Sequence, residues 1–396
     1  MIKSDNFNDD ERAEWQHEDL ASVKIRVYHG HKDKVSSVHF CSSNNKIISS
    51  GFDKTCKIWN ISTGSILRTY EGHNSFINYC ELNKNESKFL SCGWDSNVMI
   101  WDTETGQIPL TMKFGGIVSC SRFSSTDNLI VVGSDLDNLV TIVDIKSGQK
   151  IKSIKGLHNS TPTSCRFITS DNRILTTSMD RTCKIYDLRT DSVTITLEDH
   201  SNIVSSADIS KNEHILVTGS WDKSLLVYDI NSGTYRSSGP VKLIDGHEGC
   251  VSCCYFSKDG SLLISGGYDS NIVIWDMTKQ VKDLKLQGHI DWVEDVKISN
   301  DNNWILSCSK DHTIRLWNIE QTEKLSTPTL TNTKASRGVQ IFENKEDTSS
   351  LGGLQCPKCG KKYKGTDEAM CVFCRLDSDS NASMNIVKQR FSLISI

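Results

Sequence analysis

The sequence lacks most of the features that announce common chemistries. No run of about 18 or more apolar residues occurs, so no helix long and apolar enough to cross a bilayer is expected. Neither sign of charge prevails: 45 Lys and Arg against 49 Asp and Glu leave a net charge of −4. That balance gives no overall pull toward nucleic acid or a membrane surface. Residues 1–20 are acidic and polar, without the apolar stretch of a signal peptide or the basic bias of a transit peptide. There is no Walker loop, no His-Glu-x-x-His, no nucleophile elbow and no dinucleotide fingerprint. Neither an enzyme nor a small-molecule substrate is therefore expected.

What the chain does have is a repeat. GHEGCVSCCYFSKDGSLLISGGYDSNIVIWD begins at Gly246, and GHIDWVEDVKISNDNNWILSCSKDHTIRLWN follows it. His247 to Asp269 is 22 residues, as is His289 to Asp311; Asp269 to Trp275 is six, as is Asp311 to Trp317. Carried along the chain, the Trp position falls at Trp59, Trp101, Val143, Tyr186, Tyr228, Trp275 and Trp317, with steps of 42, 42, 43, 42, 47 and 42. These are seven units, each too thin to bury its own apolar faces, so they must stack. The one long step puts about five extra residues in the Ser232–Asp245 loop.

Within a unit the pattern is short strands and turns. In the sixth, Val251–Phe256, Leu262–Ser265, Ile272–Asp276 and Val281–Leu286 read as strands, with a turn at Lys258-Asp259-Gly260. Ile272, Val273, Ile274 and Trp275 are apolar in succession, which places sheets against both faces of that strand. Ser22–Tyr28 resembles a fourth strand with no unit of its own. It is expected to complete the seventh sheet beside Thr313–Trp317 and so close a ring without exposed edges.

Gly-His and Trp-Asp at this period resemble the WD40-repeat family over residues 21–320. The resemblance implies an all-β fold: a seven-bladed WD40 β-propeller closed by an N-terminal strand. It also implies one buried His–Ser/Thr–Asp–Trp network per blade. Four sets are complete: His31, Ser49, Asp53, Trp59; His73, Ser91, Asp95, Trp101; His247, Ser265, Asp269, Trp275; and His289, Ser307, Asp311, Trp317. Two carry Tyr for Trp: His158, Thr176, Asp180, Tyr186 and His200, Thr218, Asp222, Tyr228. In the third unit Gly115 or Gly116, Gly133 and Val143 take the other positions and only Asp137 remains, so its blade is expected to be the least rigid. A His–Ser–Asp set repeated around a ring argues for structure rather than for a hydrolytic triad, which is recognised at one site.

From Glu320 the composition changes. Residues 321–352 read as a linker, 353–376 as a zinc knuckle and 377–396 as a tail, while 1–20 reads as a disordered acidic leader. Cys356 and Cys359, then Cys371 and Cys374, form two C-x-x-C pairs separated by eleven residues. Four thiolates so spaced suit one tetrahedral Zn²⁺, and a filled coordination shell makes it structural. Lys358, Lys361, Lys362, Lys364 and Arg375, interleaved with Tyr363 and Phe373, give the knuckle a basic surface. RNA or an acidic partner could use it. The other eleven of the fifteen cysteines lie in the repeats, with Cys41, Cys92, Cys253 and Cys308 on predicted strands. With no secretory leader they indicate a reducing compartment, cytoplasm or nucleus.

The family's propellers bind partners on the face of the strand-a entrances and the turns before the Asp. Those positions are Lys34, Phe76, Ile117, Thr161, Ile203, Cys250 and Trp292, and Phe52, Trp94, Leu136, Met179, Trp221, Tyr268 and Lys310. Phe52, Phe76, Trp94, Met179, Trp221, Tyr268 and Trp292 are the expected anchors of a protein partner. Tyr186-Asp187-Leu188-Arg189 resembles the box by which some members dock on the cullin-4 ubiquitin ligase adaptor; Asp187 and Arg189 are the docking residues it implies, and only Arg189 adds to ordinary blade sequence. The expected function is a non-enzymatic protein–protein interaction scaffold. The alternatives are a ligase substrate receptor or an RNA-associated factor.

Overall fold

The computed structural model describes residues 23–41, 45–168 and 171–320, and the backbone of the two-residue strands Gln16–His17, Leu354–Gln355 and Lys362–Tyr363. The chain divides into two compact units, Met1–Pro328 and Thr329–Ile396. In the second, Leu354 pairs with Tyr363 and Gln355 with Lys362 in an antiparallel ladder.

The first unit is built from seven antiparallel sheets. The strands of each blade are lettered a to d from the channel outward. In blade one they are Val35–Phe40, Lys46–Gly51, Thr55–Asn60 and Ile66–Glu71. Strands b and c are buried at four or five consecutive residues, while strand d shows only alternate or scattered burial. This follows from position: b and c are covered on both faces by neighbouring blades, and d is the wet outer edge. In blade six the strands are Val251–Phe256, Leu262–Gly267, Asn271–Asp276 and Val281–Gln287, within two residues of the sequence reading at every end. The extra residues of the fifth unit form a single helical turn, Tyr235–Ser238, before a short d strand, Val241–Leu243.

Blade seven takes its fourth strand from the other end of the unit. Lys24–Tyr28 pairs antiparallel with Ile314–Asn318, Ile25 opposite Trp317 and Tyr28 opposite Ile314. Gln16–His17 adds a fifth strand outside it. The remainder of the 1–20 leader lies outside the described residues, as do 321–353 and the tail. Ile25 and Tyr28 are buried, and each belongs to a different apolar cluster, one on either side of the sheet. Burying a side chain of that size is worth roughly 1.5–3 kcal/mol.

There is no single core. Seven apolar clusters occupy the seven blade-to-blade interfaces, and each draws from two neighbours. Every strand a also carries a register shift between its first and third residues, for example Val35/Ser37 and Val293/Asp295. Such a bulge re-aims the second side chain. Of the cysteines expected on strands, Cys92, Cys253 and Cys308 are there; Cys41 lies one residue beyond strand a, still buried.

Candidate functional site

The polar networks set the geometry of the face above them. In blade one, Trp59 Nε1–H donates to Ser49 Oγ at 2.8 Å, and Ser49 Oγ lies 2.7 Å from His31 Nε2. His31 Nδ1 lies 2.8 Å from Asp53 Oδ2, which also accepts the Lys32 N–H at 3.1 Å. One proton arrangement satisfies all of it: the indole donates to the hydroxyl, the hydroxyl to Nε2, and Nδ1–H to the carboxylate. The same chain of bonds joins His73, Ser91, Asp95 and Trp101; His247, Ser265, Asp269 and Trp275; and His289, Ser307, Asp311 and Trp317. Each serine is fully buried and its oxygen already accepts an indole N–H, so it is not presented as a nucleophile.

Burial works against ionising these aspartates, but the imidazole and backbone N–H groups outweigh it. Asp53, Asp269 and Asp311 are held well below the ordinary carboxylate range, and Asp95 is lowered to about 2. Burial lowers His31 and His289 in spite of their aspartates. Both therefore favour the neutral ring that the hydrogen-bond chain requires.

Two of the six sets end differently from expectation. His158 reaches Thr176 at 2.9 Å and Asp180 at 3.1 Å, and His200 reaches Thr218 at 2.7 Å and Asp222 at 2.9 Å. Tyr186, however, donates to Asp191, and Tyr228 donates to Asp199 at 3.1 Å. The smaller phenol leaves space where an indole would be, and the residue before the histidine changes accordingly. Before the Trp-bearing networks it is Gly30, Gly72, Gly246 and Gly288; before the Tyr-bearing ones it is Leu157 and Asp199. A Cβ on Gly246 would lie 2.4 Å from the Trp275 ring. The glycine of the Gly-His pair is there because the indole lies on it.

The third blade corrects the sequence reading in two ways. Counted back from the start of strand a, His31 is the fourth residue before Val35; the fourth before Val118 is Phe114, not Gly115 or Gly116. The equivalent of Ser49, which pairs with Val38, is Val132, which pairs with Ser121, not Gly133. Phe114, Val132 and Val143 lie in one apolar cluster, exposed by 4%, 1% and 0%. The b–c turn is one residue longer here, wound as a 3₁₀ turn at Leu136–Asn138 with Asp137 at φ 58°. Asp137 therefore points to solvent, 3.7 Å from Lys155, rather than into a network. Its blade has exchanged a polar network for an apolar one, and the expectation of looseness loses its basis.

Above the networks lies the expected partner face. Backbone bonds from the b–c turn to the residue before strand a recur around the ring: Phe52 N–H to Lys34 O, Trp94 to Phe76, Met179 to Thr161, Trp221 to Ile203, Tyr268 to Cys250 and Lys310 to Trp292. In blade three the donor is Asp135 rather than Leu136, to Ile117 O. The aromatic side chains form two groups, all half-buried. Phe52 stacks on Phe76 at 4.5 Å, and Trp94 meets Phe76 edge-on at 5.5 Å. Tyr268 stacks on Trp292 at 4.4 Å, with Trp221 6.0 Å away. Lys34 lies over Phe52 and Lys310 over Trp292, at 4.2 and 4.3 Å. Met179, on blade four, joins neither group.

Sequence reasoning missed what holds this face flat. The second residue of each strand a, freed by its bulge, bonds to the first carbonyl of the next strand a. Ser36 reaches Ile77 O at 2.6 Å, Asn78 reaches Val118 O at 2.8 Å, and Ser119 reaches Pro162 O at 2.5 Å. Thr163, Ser205 and Ser252 do likewise to Val204, Val251 and Val293. The seventh position is Glu294, which pairs instead with Lys34 at 3.1 Å. A small hydroxyl or amide one residue into each strand a, recurring with the repeat, was the available signal.

On the opposite end, Asp187 closes strand c of blade four and Arg189 sits in the c–d turn that follows. The Arg189 N–H donates to Asp187 Oδ1 at 2.8 Å, and its guanidinium is 69% exposed, 3.5 Å from the same carboxylate. Cys356, Cys359, Cys371 and Cys374 lie outside the described residues. Among those described, no cluster of His, Cys, Asp and Glu is disposed to hold a metal.

Known proteins share parts of this chain. WD repeat-containing protein 88 of Homo sapiens is 34% identical over 173 residues, 43% of this chain and 37% of that protein. Serine-threonine kinase receptor-associated protein of Dictyostelium discoideum is 31% identical over 131 residues, 33% of this chain and 43% of that protein. Autophagy-related protein 16 of Arabidopsis thaliana is 24% identical over 222 residues, 54% of this chain and 35% of that protein. The chain thus spans less than half the length of these relatives. The WD40 family model (WD domain, G-beta repeat) matches residues 22–60, 64–102, 148–187, 191–229, 238–276 and 280–318, passing over the apolar third blade. With more than half its length so matched, and seven blades closed in a ring, the chain belongs to the WD40-repeat family.

Proposed function

We propose that the protein is a non-enzymatic interaction platform that docks other proteins on the face carrying the two aromatic groups. The observation that carries this reading is the pairing of Phe52, Phe76 and Trp94 with Trp221, Tyr268 and Trp292 on one rigid rim. Half-buried rings held by their neighbours lose little conformational freedom on binding, and aromatic anchors concentrate binding energy. Proximity labelling with the full chain and with Trp94→Ala/Trp292→Ala tests it. The same set of labelled proteins from both would remove the aromatic face from the account.

The exposed guanidinium of Arg189 supports a second reading, a substrate receptor docked on the cullin-4 adaptor. Pull-down with Arg189→Ala decides it, since equal adaptor capture excludes that contact. The knuckle at residues 353–376 is proposed to hold one structural Zn²⁺ through Cys356, Cys359, Cys371 and Cys374. Supporting this, the ladder of Leu354–Gln355 with Lys362–Tyr363 brackets the first cysteine pair, and four thiolates are a donor set that zinc prefers. Metal analysis should return one equivalent, lost in Cys371→Ser/Cys374→Ser. An RNA-associated role would also rest on this segment, and binding of single-stranded RNA at low salt, lost without residues 352–376, is its test. The eleven free thiols among the described residues favour a cytoplasmic or nuclear setting.

A further inference from the structure

The channel ends differently on the side away from the aromatic face. At the fifth position of the seven a strands stand His39, Glu81, Arg122, Arg166, Asp208, Tyr255 and Lys297, a belt of ionisable or polar side chains. Arg122 lies 3.5 Å from Glu81, Arg166 pairs with Asp208, and Lys297 lies 2.5 Å from Asp295. The carboxylates have further partners. Glu81 accepts the Phe123 N–H at 2.9 Å, Asp208 the Phe256 N–H at 2.8 Å, and Asp295 the Val38 N–H at 3.3 Å. Each of these bonds crosses to the next blade, so the acids serve as ties between blades. A guanidinium with five donors is not exhausted by one carboxylate.

Beyond the belt the channel widens into a cavity of about 380 Å³, at the small end of ligand sites. Phe123 and Tyr255 are half-buried in its wall, Phe167 and Phe256 behind them belong chiefly to the blade-to-blade cores, and Arg166 and Asp208 lie at its inner end. Lys84, Lys211 and Lys258 stand on the rim, exposed, with no ion-pair partner among the described residues. The rim also carries two carboxylates, Asp127 and Asp171, which stay charged but are turned to donors of the chain. Asp127 accepts the Lys84 N–H at 2.9 Å, and Asp171 accepts Ser125 N–H and Oγ–H at 2.7 and 2.6 Å.

We propose that this mouth of the channel binds a small anion with an aromatic or apolar body. Its phosphate or carboxylate head meets Arg166 and the rim lysines, and its body lies against Phe123 and Tyr255. The site is independent of protein docking on the other face, and either can fail without the other.

Titration calorimetry of the full chain with phenyl phosphate, benzoate and inorganic phosphate tests it. At least one aromatic anion is expected to saturate at millimolar concentration or below, more tightly than inorganic phosphate. Lys211→Gln/Lys258→Gln should weaken it by roughly tenfold, and Lys223→Gln, on the opposite face, should not. Arg166→Gln alone would leave Asp208 buried and unpaired, so the inner end is probed with Arg166→Gln/Asp208→Asn. If that pair does not fold, the exposed rim variant decides. No saturation by either aromatic anion, or equal affinity in the rim variant, overturns the proposal. Equal binding of phenyl phosphate and inorganic phosphate overturns the role of the walls.

Discussion

Blade one and blade three have the same four strands, the same bulge and a blade packed on either side, yet opposite chemistry at the corresponding positions. Blade one joins His31, Ser49, Asp53 and Trp59 in a chain of hydrogen bonds. Blade three packs Phe114, Val132 and Val143 against one another. A satisfied polar network and a filled apolar one are alternative solutions to the same packing problem. What fails is a mixture, because a lone buried donor or acceptor bears its full desolvation cost. The network is therefore a means of fixing the loop above strand a, not a requirement for the blade to form.

The sharpest way to break this comparison is to mix the two kinds. Phe114→His places an imidazole among Val132 and Val143 with nothing to bond, and removes a buried aromatic ring. A loss of about 3 kcal/mol or more is expected in urea denaturation. Next comes Asp53→Ala, which strands the His31 Nδ1–H and the Lys32 N–H; roughly 1–3 kcal/mol should be lost. Converting blade one wholesale, His31→Phe/Ser49→Val/Asp53→Leu/Trp59→Val, should cost less than the sum of the four single changes. Additive losses would mean that the polar network is not a unit.

Acid should separate the blades in turn. The folded-state values of His31 and His289 lie below the ordinary histidine value, so their contribution is complete above about 6.5 and is lost as pH falls toward the folded value. The depressed aspartates act in the same direction lower down. Their contribution is complete above about 3.9 and fades as pH falls through the folded values, about 2 for Asp95. Hydrogen exchange read blade by blade should show blades one and seven losing protection on acidification before blade three. The smallest effect expected is that of Asp137→Asn, which removes the charge and keeps a residue type that tolerates the left-handed φ of 58°. The residue is exposed and serves no network, so the melting temperature should not move measurably.

The fold was largely legible because a repeat makes its own ruler: 22 residues from His247 to Asp269 and again from His289 to Asp311 need no knowledge of contacts. The ruler misled where its graduations were missing. Counting back six from Val143 lands on Asp137 and conceals the extra residue in that turn, and Phe114 looks like any other apolar residue once its polar partners are gone. The aromatic face could be read from two positions per unit, but its division into two groups could not, since that depends on which rings touch across blades. The belt of His39, Glu81, Arg122, Arg166, Asp208, Tyr255 and Lys297 was hidden by distance. Its members lie about forty residues apart, and no two share a residue type save the arginines.

The bonds running from Ser36 to Ser252 go around the inner wall as six neutral stitches, and only between blades seven and one is the stitch replaced by charge. Asp295 reaches the Val38 N–H across the same joint, and the Tyr28 hydroxyl and Arg26 guanidinium donate across it to the Ile61 and Ser62 carbonyls. Lys34 and Glu294 are mostly enclosed, so added salt screens this pair less than it would an exposed one. The circle therefore has a clasp. It lies where the first and last blades meet, and its inner stitch is the one that a change of charge at Lys34 or Glu294 would undo.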